Sequence, residues 1–251
     1  MRPGGWEALL FDLFDTLVLF ERERLPEIQV NGRTLRSTAG HMHEAFRPFA
    51  PDVSLEDFVG ALFWSWQEAE RLRGESHREV PAAERFALLF DRLGLDAAAL
   101  QREALPLLLA THMRELSRAV VCPAHHRELL VALGARHRLA VVSNFDYTPT
   151  AHLVLEREGL APLFEAVVIS DAVGWRKPKA VIFETALGAL GVPPGRALFV
   201  GDRADIDVAG AHGVGMQAVW VNRAREPLPE GAPRPEFEIQ DLAELRAIVG
   251  G

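Results

Sequence analysis

Residues 8–17, Ala-Leu-Leu-Phe-Asp-Leu-Phe-Asp-Thr-Leu, set an acid inside an apolar run. The stretch from Ala8 to Phe14 reads as a buried β-strand, because near-continuous apolar residues suit a strand covered on both faces. Asp12 is the anomaly. A carboxylate there is costly unless it is paired, hydrogen-bonded or bound to metal, and the plain alternative is an Asp that caps a turn. Four more short apolar runs follow much later in the chain: 139–142 (LAVV), 166–169 (AVVI), 197–200 (ALFV) and 218–221 (AVWV). Helical patterns over 149–159, 179–190 and 205–213 separate them. Strands alternating with helices predict an α/β fold with a doubly wound parallel sheet.

The segment 18–119 breaks that rhythm. Asn31-Gly32, between extended residues 27–30 and 33–35, signals a hairpin. Helical patterns then cover 36–48, 54–73, 81–93 and 97–118. Ser54 with Asp57 three residues later fits a capping box, and Leu55, Phe58, Val59, Leu62 and Trp66 make an apolar helical stripe. A last helix is expected over 241–249, after the Pro-rich loop 227–236. The expected organisation is a core of residues 1–17 and 120–251, with a mostly helical domain, 18–119, inserted after the first strand.

Composition narrows the class. Hydrophobic residues make up 49% of the 251 and charged residues 25%, which supports a real core and argues against disorder. The formal net charge is −8 with no long basic stretch, a poor match for nucleic acid. Asp12 and Asp15 interrupt the N-terminal apolar run, so it does not read as a signal peptide, and no other segment reads as a membrane span. Cys122 is the only cysteine, which excludes an internal disulfide and suits a reducing compartment. A cytoplasmic protein without nucleic-acid or membrane partners is expected. Lys177 and Lys179 are the only lysines among 27 basic residues, so a lysine here stands out.

Four polar clusters fall at or after the C-terminal ends of predicted strands, the edge where open parallel sheets bind ligands. The first holds Asp12, Phe14, Asp15 and Thr16. The second is Ser143-Asn144; both side chains suit an anionic oxygen, or either caps the next helix. The third is Trp175-Arg176-Lys177-Pro178, where a lysine can reach back over the sheet edge or stand exposed in a loop. The fourth is Gly201-Asp202-Arg203-Ala204-Asp205-Ile206-Asp207, whose acids suggest a cation, although Asp205 reads better as favouring a helix N-terminus. His41, His43, His125 and His126 lack a spacing that suits a zinc pair and read as solvated or hydrogen-bonded. Trp64 reads as packing on a neighbouring helix or lining a substrate surface.

In order and spacing, the four clusters make the whole chain resemble the haloacid dehalogenase-like hydrolases. The resemblance implies a Rossmann-like core with a helical cap that closes over the site. It implies Asp12 as nucleophile, and Thr16, Ser143, Asn144 and Lys177 as the groups that grip a phosphoryl group. It implies Mg²⁺ held by Asp12, Asp202, the Phe14 carbonyl and Asp207, and a small phosphorylated substrate. One departure matters: the acid two residues after the nucleophile in the family's phosphatases is Phe14 here, and Asp15 follows where Gly is usual. A phosphatase then lacks a positioned proton donor unless Asp15 substitutes. A metal-independent 2-haloacid dehalogenase needs none, but such enzymes usually lack the acid that stands here at Asp202. The remaining alternative is a binding protein that keeps the fold without the activity.

Overall fold

The computed structural model describes residues 5–74 and 76–250. The chain forms two compact units: residues up to Leu19 together with those from Val121 onward, and Phe20–Val120.

The first unit is built on six parallel strands: β1 (Ala8–Phe11), β2 (Arg138–Ser143), β3 (Ala166–Ile169), β4 (Ala197–Gly201), β5 (Gln217–Val221) and β6 (Phe237–Ile239). Their order is β6-β5-β4-β1-β2-β3. All neighbours run parallel, with Phe11 opposite Val141 on one side and Val200 on the other. β1 is fully buried, as its unbroken apolar run requires. Leu10, Val142 and Phe199 pack beneath Ile182, Phe183 and Leu187 of the helix Ala180–Leu190. The strand order reverses between β1 and β4, and open α/β sheets bind their ligands outside the C-terminal ends at such a point. Asp12 follows β1, and Asp202 follows β4.

The second unit opens with a hairpin of Glu27–Val30 and Arg33–Arg36. Asn31 and Gly32 both have positive φ, 50° and 72°, as a two-residue turn of the I′ kind needs. Helices follow at Ala39–Phe46, Leu55–Arg73, Ala82–Arg92, Ala97–Leu100 and Ala104–Arg118. The Ser54 hydroxyl caps the second of these by accepting from the Asp57 amide at 3.1 Å. Leu55, Val59 and Leu62 of its stripe pack on Ile28, Val30 and Ala39. Among the described residues no helix is long and apolar enough to cross a membrane.

Several expectations need correction. The first strand ends at Phe11, not Phe14: the Leu13 carbonyl accepts from the amides of both Leu17 (2.9 Å) and Val18 (3.0 Å), so the chain turns at once. Leu13 and Leu17 are buried although they lie outside the strand. The helix expected over 97–118 is two, because Pro106 has no amide proton and is accommodated in the first turn of the helix that restarts at Ala104. Trp66, at the end of the apolar stripe, is 52% exposed and stacks on Phe63. The expected helix 205–213 starts as a wide π turn, Ala204–Val208, before an α turn at Ala209–Gly213. The helix Ala124–Gly134 and strand β6 are additional elements that no expected pattern covers.

Candidate active site

Asp12 sits one residue beyond β1, with its amide still donating to the Val200 carbonyl at 2.9 Å. It is buried, and Lys177 Nζ donates to its Oδ1 at 2.6 Å. The same Nζ lies 2.8 Å from Asp207 Oδ1 and 5.3 Å from the centre of the Phe199 ring. Lys177 is thus a buried ammonium bridging two carboxylates over an aromatic face. Burial works against its charge, but Asp12 and Asp207 outweigh it and hold its pKa above the ordinary lysine value.

Asp207 is fixed from a second side, since its Oδ2 accepts from the Arg203 amide at 3.0 Å. Gly201 makes this possible: a Cβ there would meet the Asp207 carboxylate at 2.3 Å. Asp202 completes the group. Ligand atoms of Asp12, Asp202 and Asp207 all lie within 4.8 Å of one another. The Asp202 carbonyl is held by Trp220 Nε1 at 2.8 Å. Burial pushes the Asp12 carboxyl up to about 6; Lys177 pulls against this and Asp207 adds to it. Burial, then Asp12 and Asp207, push Asp202 up to about 8. Three carboxylates against one ammonium repel one another, and such a donor set fits a hard divalent cation.

The anion-binding expectation divides. Thr16 Oγ1 and Ser143 Oγ are buried without a partner among the described residues. Leaving a buried hydroxyl unsatisfied costs about 1–3 kcal/mol, which a ligand oxygen would offset. Asn144 does something else. Its Nδ2 donates to the Lys177 carbonyl at 3.0 Å, and its Oδ1 accepts from the Lys177 amide at 2.7 Å. Its amide thus helps to place Lys177, while Nδ2 keeps a second proton that could still serve a phosphoryl oxygen. Phe14 is half-buried, its ring 4.8 Å from that of Phe145. Asp15 is exposed and has φ 59°.

Other residues fall out of the site. Arg203 binds Asp205 through two nitrogens, at 3.0 and 2.7 Å, on the surface. The Arg92 guanidinium covers Trp64 at 5.5 Å, so that ring packs on the next helix. His43 bonds to the Val53 carbonyl, His41 lies 3.4 Å from Glu115, and His126 Nδ1 donates to the Leu17 carbonyl. His125, His126 and Asp241 also lie close enough to share an ion. However, His125 bonds to Asp241 at 3.0 Å, Asp241 caps the short 3₁₀ turn Leu242–Glu244, and Arg223 stands 3.9 Å from it. That grouping is accounted for without a metal.

Two supports went unnoticed in the sequence. Arg223 Nη2 donates to the Thr16 carbonyl at 3.1 Å, bracing the loop after Asp12. The Ser170 hydroxyl accepts from the Phe145 amide at 2.9 Å. No local pattern marks Arg223. A buried Trp such as Trp220 does signal a need for a hydrogen-bond acceptor.

The sequence pattern of the haloacid dehalogenase-like hydrolases matches residues 6–215. The chain belongs to that family. This hydrolase is 30% identical to a glyceraldehyde 3-phosphate phosphatase of Methanopyrus kandleri over 97% of both chains. It is 34% identical to the pyrimidine 5'-nucleotidase YjjG of Escherichia coli over 48% of this chain and 53% of that protein. The hydrolase thus spans nearly the whole of some curated relatives and about half the length of others. Among solved structures, a HAD phosphatase from Thermococcus onnurineus matches with a TM-score of 0.63 at 25% identity, over 98% of both chains. A 2-haloacid dehalogenase from Pseudomonas syringae matches with a TM-score of 0.69 over 98% of both chains, but at 22% identity this likeness shows the fold alone.

Proposed function

We propose that this hydrolase is a Mg²⁺-dependent phosphatase acting on a small phosphorylated metabolite in the cytoplasm, with Asp12 as nucleophile. The observation that carries the reading is the trio Asp12, Asp202 and Asp207 gathered around one lysine. A halide-displacing site has no need of so much negative charge. The phosphatase name of the relative in Methanopyrus kandleri supports it.

In this reading Asp12, Asp202 and the Phe14 carbonyl would hold the ion, with Asp207 adding charge while it anchors Lys177. The ion supplies charge neutralisation for the bound phosphate. Asp12 attacks phosphorus and becomes an aspartyl-phosphate as the bond from phosphorus to the substrate oxygen breaks and its electron pair leaves on that oxygen. The Thr16 and Ser143 hydroxyls, unpartnered in the free protein, bind phosphoryl oxygens, and Lys177 stabilises the charge that builds there. Water then releases phosphate and restores the Asp12 carboxylate. The helical unit would act as the cap that selects the substrate. The test is an assay of p-nitrophenyl phosphate and a 2-haloacid, with Mg²⁺ and with chelator. Metal-dependent phosphate release is expected. Metal-independent halide release would replace this reading with the dehalogenase one.

Two further outcomes follow. Asn144→Ala removes both bonds that place Lys177, so kcat should fall about 10–100-fold. KM should change less, and stability should drop by about 1–3 kcal/mol. Steady-state kinetics with a thermal melt checks this, and an unchanged kcat would remove Asn144 from any positioning role. The second concerns pH. Asp12 at about 6 and Asp202 at about 8 both lie above the ordinary 3.8. Between these values the folded chain keeps protons that the unfolded chain has lost, so raising the pH lowers stability when no cation is bound. Mg²⁺ favours the ionised carboxylates. Its stabilising shift in Tm should therefore grow from about pH 5 to about pH 8. Melts at both pH values, with Mg²⁺ and with chelator, measure it; a shift that is absent or independent of pH contradicts the metal assignment.

A further inference from the structure

Breaking a phosphate ester of an alcohol sends an electron pair onto an oxygen that is strongly basic at neutral pH. A proton donor must then stand about 2.6–3.2 Å from that oxygen. The groups gathered around Asp12 are poor donors. Lys177 is held as an ammonium between Asp12 and Asp207, the charged form that both carboxylates favour. Asp207 is held by Lys177 and the Arg203 amide. Asp202 belongs to the cation cluster. Thr16 and Ser143 are hydroxyls, far too weakly acidic. The chain leaves the nucleophile through Leu13 and Phe14, and Phe14 closes on Phe145 with ring centres 4.8 Å apart.

That ring pair is held in place. The Ser170 hydroxyl accepts from the Phe145 amide at 2.9 Å and donates to the Phe145 carbonyl at 3.2 Å. Asp171 anchors the same loop by accepting from the Thr148 amide at 2.8 Å. On the other side, Arg223 holds the Thr16 carbonyl. Bringing a new acid to this spot by loop movement would require breaking these bonds.

Resting on the phosphatase reading, we propose that the substrate class is one whose leaving group departs as a stable anion, above all acyl phosphates. The structural basis is the clamped pair Phe14 and Phe145, two apolar rings packed together on the loops that leave β1 and β2. A carboxylate oxygen of Asp12 forms a bond to phosphorus. The bond from phosphorus to the acyl oxygen breaks, and its electron pair leaves on a carboxylate that needs no proton, since carboxylic acids ionise near pH 4 (about 3.9–4.3 for side-chain carboxyls). Water next attacks the phosphorus of the aspartyl-phosphate. Its oxygen and protons pass to the phosphate product, which releases one proton to solvent as pH requires, and Asp12 leaves as a carboxylate.

The test measures kcat/KM with Mg²⁺ for acetyl phosphate, a series of aryl phosphates of graded phenol acidity, and glycerol phosphate. In the native protein kcat/KM should fall steeply as the leaving group becomes more basic, with glycerol phosphate at least about 10²-fold below the activated substrates. Phe14→Asp should flatten the dependence and raise glycerol phosphate turnover about 10²-fold. If that variant does not fold, the slope in the native protein decides alone. A flat dependence in the native protein overturns the inference and leaves the phosphatase reading intact. Loss of glycerol phosphate turnover in Asp15→Asn would identify Asp15 as the donor and overturn it as well. No hydrolysis of any phosphate removes the phosphatase reading, and this inference with it.

Discussion

Asp12→Asn is expected to lower turnover by about 10⁴-fold or more while leaving the protein folded. The amide has almost the shape of the carboxylate but is a very poor nucleophile, so the first bond to phosphorus does not form. Stability should hold or improve. In the native chain Asp12 is pushed up to about 6 mainly by burial, with Asp207 adding to it, and the variant removes that conflict. Lys177 keeps Asp207 as a partner at 2.8 Å, so no charge is stranded. Kinetics with p-nitrophenyl phosphate and a thermal melt in chelator check both halves. Residual activity above about 1% with an unchanged fold would require a different attacking group.

Lys177→Met carries the second large effect, and here stability falls too. Lys177 is buried, with Asp12 at 2.6 Å and Asp207 at 2.8 Å. Deleting the ammonium leaves those carboxylates and Asp202 within 4.8 Å of one another with no cation between them. Breaking a buried ion pair from one side commonly costs about 3–5 kcal/mol. In chelator the variant should therefore melt well below the native protein, and Mg²⁺ should restore part of the loss. Turnover should fall about 10²–10³-fold even with Mg²⁺, the usual cost of deleting one preorganised donor to developing charge. A second change separates the two effects. Lys177→Met with Asp207→Asn should recover stability without recovering turnover. A double variant no more stable than the single one would show that the carboxylates do not repel as the geometry implies.

The sequence exposed the site more fully than its supports. Asp12, Lys177, Asp202 and Asp207 stood out because acids and a rare lysine beside buried strands are costly without partners, and the structure gathers them into one cluster. Their meeting depends on β1 lying between β2 and β4, a neighbour relation that no local pattern contains. The end of β1 was misplaced because Leu13 is as apolar as a strand residue, yet its carbonyl serves a turn. The bonds from both ends of the Asn144 amide to the Lys177 backbone have no sequence signal, because residue type does not reveal direction. The helix Ala124–Gly134 was hidden by its low contrast, with His126 buried among Leu129, Leu130 and Leu133. Arg223 acts on main-chain carbonyls more than 200 residues away, a contact only the folded chain creates.

In the proposed reaction Asp12 takes the phosphoryl group onto its own carboxylate. Mixing excess protein with acetyl phosphate and Mg²⁺, quenching in acid within one turnover, reducing with borohydride and mapping peptides tests it directly. Borohydride converts an aspartyl-phosphate to homoserine. The expected result is homoserine at position 12 and nowhere else, absent in Asp12→Asn. Full release of phosphate with Asp12 unmodified at every quench time, or homoserine at another position, would contradict it.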